Sequence, residues 1–139
     1  MELTKPLPPE DGDFEVLRAG LTKFNETFTG AVFREKISVF IKDDTGEIVG
    51  GILGEINWGW LHIQGLWIDE SIRSGGWGTK LLSSMEDYAL SKDIKNIRLE
   101  TTTFQALDFY IKSGYCVFGE LDNMPQGHTS YFLQKHLGI

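Results

Sequence analysis

The chain has 139 residues, enough for one domain with one sizeable core. Its 41% hydrophobic and 24% charged residues suit a globular protein, and no apolar run nears the ~20 residues that cross a bilayer, so a membrane partner is not expected. A net charge of −7 argues against nucleic acid, whose readers are basic, and is consistent with a small cationic ligand.

The first twelve residues, polar and rich in proline with no apolar segment of the signal-peptide kind, are expected to form a flexible leader, with residues 13–139 as a single domain. Asp13 to Ala19 alternates at Phe14 and Val16 and predicts a first strand. Gly20 to Gly30 places Leu21, Phe24 and Phe28 at helical spacing between two glycines, a short amphipathic helix. Lys36 to Lys42 and Glu47 to Ile56 predict two strands around a turn at Asp43-Asp44-Thr45-Gly46. Asn57-Trp58-Gly59 turns the chain into a further strand, Trp60 to Asp69. From Trp77 to Ser91, Leu81, Leu82, Met85, Tyr88 and Ala89 share the face of a helix lying on a sheet. Lys95 to Glu100 is a short strand. Thr103 is expected to cap a helix over Phe104 to Ser113, which Gly114 closes. Tyr115 to Gly119 and Thr129 to Lys135 are the last strands, around a loop from Glu120 to His128. The fold class is therefore mixed α/β: a front meander, then helices spaced among strands.

Between the third hairpin strand and the long helix lies Arg73-Ser74-Gly75-Gly76-Trp77-Gly78. Glycines let backbone approach a ligand, and the first amides of a helix point outward unpaired at the positive end of its dipole. A strand, a glycine-rich turn and a helix start make a phosphate cradle. It is not a P-loop, because no Lys follows Gly78, and not a dinucleotide fingerprint, because Leu81 stands where the third glycine belongs. What fits is Arg-x-x-Gly-x-Gly. Downstream stands Ala106-x-x-Phe109-Tyr110-x-Lys112-x-Gly114-Tyr115. In that order and separation, the two stretches resemble the cofactor-side motifs of the GCN5-related N-acetyltransferases (GNAT family). The likeness runs from about Phe14 to Leu137, with one helix where the family usually has two.

The resemblance implies a mostly antiparallel central sheet flanked by helices, with acetyl-CoA as co-substrate and no metal. It implies contacts to the cofactor from Leu66, Trp67 and Ile68 on the strand, the first and last through their backbone. On the turn it implies Arg73, Ser74, Gly75, Gly76, Gly78 and Thr79, and beyond it Thr103 and Phe109. Thr103 stands where the family often has Asn, and the bulky Trp77 is expected to turn away from the phosphates into the helix–sheet contact. Tyr110 matches the tyrosine that protonates the leaving thiolate. The base is open between His62 and Glu55, since a neutral histidine suits proton transfer near neutral pH and Glu55 sits on the adjacent strand. His128, Glu120 and Asp122 are expected near the edge of an acceptor cleft. Cys116, the lone cysteine, allows no intramolecular disulfide, is expected to be a buried small hydrophobe, and points to a cytoplasmic setting. No cluster has metal-ligand spacing. The activity expected is direct attack of a primary amine, a small cationic molecule, on the thioester in a ternary complex. A non-catalytic acyl-CoA-binding module and a protein lysine or N-terminal acetyltransferase are the alternatives. A homodimer is possible, with the Trp58-Gly59-Trp60 turn as one contact.

Overall fold

The structure is a computed structural model that describes residues 1–138. By backbone contacts the chain divides into two units, Met1–Val32 and Phe33–Ile139. The first unit holds one helix, α1 (Asp11–Thr29). Here the expected first strand is wrong. Phe14, Leu17, Leu21, Phe24 and Phe28 form one continuous stripe at spacings of three and four. The alternation of Phe14 and Val16 is incidental, and Gly20 lies inside the helix instead of before it. Glu10 and Asp13 close a capping box at its start, and Gly30, at φ 68°, ends it.

The second unit is built on a six-stranded sheet. Its strands are β1 (Glu35–Lys42), β2 (Ile48–Asn57), β3 (Trp60–Ile68), β4 (Asn96–Thr102), β5 (Cys116–Asp122) and β6 (Thr129–His136), in the order β1-β2-β3-β4-β6-β5. Every neighbouring pair is antiparallel except β3 with β4. A 3-10 turn (Glu70–Ile72) and helix α2 (Trp77–Ser91) connect those two, the crossover a parallel pair requires. Helix α3 (Leu107–Lys112) joins β4 to β5. No helix among the described residues is long and apolar enough to cross a membrane.

Leu81, Leu82, Met85 and Ala89 of α2 are buried against Ile52 and Ile56 of β2, Leu61 and Ile63 of β3, and Ile97 and Leu99 of β4. The two-residue period then fixes what faces away from α2. The Cα partners Lys36, Glu55, His62, Arg98, Gln134 and Cys116 run across all six strands in a single row. That row explains why Cys116 is exposed, contrary to the expectation of a buried thiol. Its neighbours Tyr115 and Val117 take the alternate positions, and Tyr115 is the one that enters the core.

Candidate active site

Two irregularities open the sheet at its centre. In β2–β3, Leu53 pairs with Gly65 but Gly54 pairs with Ile63. Gln64 is the extra residue, a bulge that bends β3. In β3–β4, pairing covers only Trp60–Ile63 with Asn96–Leu99, although both strands continue. Beyond Ile63 and Leu99 the strands part. A cavity of about 500 Å³ fills the gap, lined by Gln64 to Ile68, Arg73, Gly78, Leu99 to Thr101, Gln105, Ala106, Phe109 and Tyr110. A smaller one of about 260 Å³ is lined by Ser74, Gly76, Trp77 and Thr79, and shares Ile68, Arg73, Gly78 and Phe109 with the first.

The turn at this end is held locally. Asp69 accepts hydrogen bonds from the amide and hydroxyl of Ser71. Those bonds, the hydroxyl's foremost, and the charge of Arg73 hold its carboxyl below the ordinary range. Arg73 donates from Nε to the carbonyl of Ile68 at 3.1 Å, tying the turn to the end of β3. Gly76 precedes α2 at φ 77°, a left-handed backbone that glycine adopts freely, with open space where a Cβ would stand. No side chain caps α2. Its leading amides, with Arg73 beside them, are free to hold an anion. Gly78 serves differently. A Cβ there would lie 3.3 Å from the Phe109 ring, so the missing side chain lets α2 and α3 close on one another.

Tyr110 is 6% exposed and its hydroxyl has no hydrogen-bond partner among the described residues. Burial pushes its pKa up, so the phenol keeps its proton and remains a donor. Phe109 and Tyr115 pack edge-on against its ring at 5.2 and 5.8 Å between centroids. Tyr115 is itself anchored, donating to Glu86 of α2 at 2.7 Å. Lys135 of β6 donates to the same carboxylate and to the carbonyl of Ser113. A network spanning α2, α3 and β6 thus fixes the wall that carries Tyr110.

On the face away from α2, a cavity of about 420 Å³ is lined by Glu55, Asn57, Trp58, Trp60, His62, Gln64, Arg98, Phe118 and Gln134. Trp58 reaches it from a turn where it takes φ 50°, uncommon for a bulky residue. Gln64, the bulge residue, lines this cavity and the one between the strands. Glu55 is engaged by Arg34, whose Nε and Nη2 lie 2.8 and 2.7 Å from the same oxygen. His62 is 2.8 Å from Glu100.

The acetyltransferase (GNAT) family model matches residues 4–115. The chain belongs to this family. A blasticidin-S acetyltransferase of Streptomyces morookaense is 34% identical over 104 residues, 74% of this chain and 76% of that one. The crystal structure of an acetyltransferase from Bacillus cereus superimposes with a TM-score of 0.86 at 31% identity, covering 96% of this chain and 98% of that one. A Bacillus anthracis structure described as a streptothricin acetyltransferase in complex with acetyl coenzyme A shares the fold, with a TM-score of 0.65 at 24% identity over 74% of this chain and 64% of that one.

In this acetyltransferase, Leu66, Trp67, Ile68, Arg73, Ser74, Gly76, Gly78, Thr79, Phe109 and Tyr110 come together around the two joined cavities. Gly75 lines neither and lies against the Trp77 indole. Trp77 does not enter the helix–sheet contact. It lines the smaller cavity, with the Lys80 ammonium 4.4 Å from its ring. Thr103 caps no helix and lines neither cavity. Its hydroxyl meets Nδ1 of His128 at 2.8 Å, while α3 begins at Leu107 after Ala106. The reason lies in Gln105, whose side chain accepts from the Thr102 amide and whose own amide donates to the Thr102 carbonyl, making a turn where helix was expected. His128, Glu120 and Asp122 line neither the gap nor the cavity on the face away from α2. Sequence reasoning missed Glu100, Arg98, Phe118 and Gln134. The signal available was the strand pattern of β4, β5 and β6, which needed the register to be read.

Proposed function

We propose that this acetyltransferase moves the acetyl group of acetyl-CoA to the primary amine of a small molecule, in a ternary complex and by direct attack. The observation that carries the reading is the parting of β3 from β4 with the unpartnered hydroxyl of Tyr110 in the gap. The gap takes the pantetheine arm along Leu66 to Ile68, whose exposed backbone edge supplies hydrogen bonds. The turn from Arg73 to Thr79 takes the pyrophosphate on uncapped amides and the guanidinium. An Arg73 already hydrogen-bonded to the Ile68 carbonyl is pre-positioned there.

The amine approaches from the cavity on the far face of β3, where Gln64 and His62 stand. Its lone pair forms a bond to the thioester carbon, and the π pair of the C=O bond moves to the carbonyl oxygen, returning when the C–S bond breaks. Backbone amides of β3 stabilise the oxyanion. The amine proton passes to His62 and on to water. When the C–S bond breaks, the sulfur takes the hydroxyl proton of Tyr110, which recovers one from solvent. His62 is preferred to Glu55 as base because Arg34 already claims the Glu55 carboxylate. A small-molecule acceptor is supported by a cavity of limited volume and by the relative named for blasticidin-S. The lone, exposed cysteine suits a reducing cytoplasm.

Titration calorimetry with acetyl-CoA, combined with turnover on a panel of amines, tests the proposal. Tyr110→Phe should leave acetyl-CoA affinity intact and lower kcat by about 100-fold. Absence of binding at millimolar acetyl-CoA by folded protein sinks the reading.

A further inference from the structure

The proton leaving the amine needs a lone pair held ready for it. His62 on β3 has Arg98 on β4 as its Cα partner, and Glu100 is the first residue past the last paired position, where the strands part. The bond from His62 Nε2 to Glu100 Oε2, 2.8 Å long, spans this point. Its two ends belong to different cavities: His62 lines the one on the far face of the sheet, and Glu100 lines the gap that holds Tyr110. The bond thus links a residue of one cavity to a residue of the other.

A carboxylate oxygen only accepts, so Nε2 must carry the hydrogen, and a neutral ring then leaves Nδ1 bare. No group among the described residues bonds to Nδ1. The other Glu100 oxygen lies 3.5 Å from Nη1 of Arg98, which orients the carboxylate from its second side. Glu55, Arg98 and Glu100 are the charged side chains on the strands flanking His62, and Arg34 holds the first. We infer that Glu100 is a positioning residue: it locks His62 in the Nε2–H tautomer, which makes Nδ1 the atom that takes the amine proton. The catalytic half of this inference rests on the acetyl-transfer reading above, but the tautomer does not.

The test begins with ring-15N-labelled histidine in the free wild-type protein at about pH 8.5, above the ordinary imidazole range, with the His62 signal assigned through His62→Gln. The expected spectrum shows Nε2 protonated and Nδ1 bare. A His62 ring protonated on Nδ1 overturns the inference, whatever any variant does. In the isosteric Glu100→Gln, the amide can donate as well as accept, so the two tautomers should mix; an unchanged spectrum also overturns it. With an acetylated amine in hand, Glu100→Gln should lower kcat at least ~10-fold with KM for the amine little changed, and the double variant with His62→Gln should be no slower than His62→Gln alone. Multiplying effects would mean that Glu100 acts by another route. If no amine is acetylated, the transfer reading fails, and the ring spectrum still decides the role of Glu100.

Discussion

Gly76 and Gly78 belong to one short motif, yet they are glycines for unlike reasons. Gly76 has open space around it and a left-handed backbone, whereas Gly78 faces the Phe109 ring. Gly76→Ala should cost about 1–2 kcal/mol through backbone strain alone. In Gly78→Ala the gain in helix propensity, about 1 kcal/mol, is offset by overpacking of about 1–3 kcal/mol. The distinguishing readout is affinity: Gly78→Ala pushes Phe109 into the gap and should weaken acetyl-CoA binding more than it shifts a urea midpoint. The motif announces both glycines in the sequence but not the difference, because the second depends on an aromatic ring 31 positions away (109 − 78). The same holds for Glu55, which looks like a free carboxylate until Arg34 is seen across the fold. It holds for Thr103, whose cap position is claimed by a turn around Gln105. That Tyr110 would line the gap was legible because its place in a local pattern required no long-range partner.

At the level of elements, the strands were readable to within a residue or two except β5, which runs three residues past its expected end at Gly119, and α2 was readable to its end residues, since α2 and most of the strands bury one face on the common core. Helix α1 was not. A strand and a short helix were expected where one helix of 19 residues stands, and Gly20 was the cause of the split. Gly20 has nothing within 4 Å of where a Cβ would be. Replacing it with alanine removes the propensity penalty and should raise stability by up to ~1 kcal/mol, measurable by thermal or urea unfolding. A loss of stability instead would show that the site needs glycine for close approach. The wall behind Tyr110 makes a second case. Lys135→Met should strand the Glu86 carboxylate with Tyr115 as its remaining partner, and destabilise by about 1–3 kcal/mol.

Across the whole molecule, three tyrosines bind their phenolic protons more tightly in the folded chain than free in solution. Burial raises the pKa of Tyr110, burial and the Glu86 hydrogen bond raise that of Tyr115, and the hydrogen bond to Glu35 raises that of Tyr88. The sign follows from proton counting. Above about pH 10 the unfolded chain releases these protons while the folded chain retains them, so stability is full below that pH and falls as pH rises. Tyr110 and Tyr115 each contribute a slope of up to ~1.4 kcal/mol per pH unit. Urea midpoints at pH 9 and 11 should diverge accordingly, and Tyr115→Phe should narrow the difference. A midpoint independent of pH in this range would contradict the burial of these hydroxyls.

The short run of pairing between β3 and β4 also makes the sheet a thing of two leaves, β1-β2-β3 and β4-β6-β5, hinged along four residue pairs. Beyond that hinge each leaf presents a raw backbone edge, from Gln64 to Ile68 on one side and from Glu100 to Thr102 on the other. A linear ligand lying in the cleft would stand in for the rungs of a ladder that the protein leaves out. Its removal would let the leaves breathe about the hinge. Deuterium uptake at the amides of these two edges, fast in the free protein and slowed by acetyl-CoA, would show that molecule acting as a temporary seventh strand.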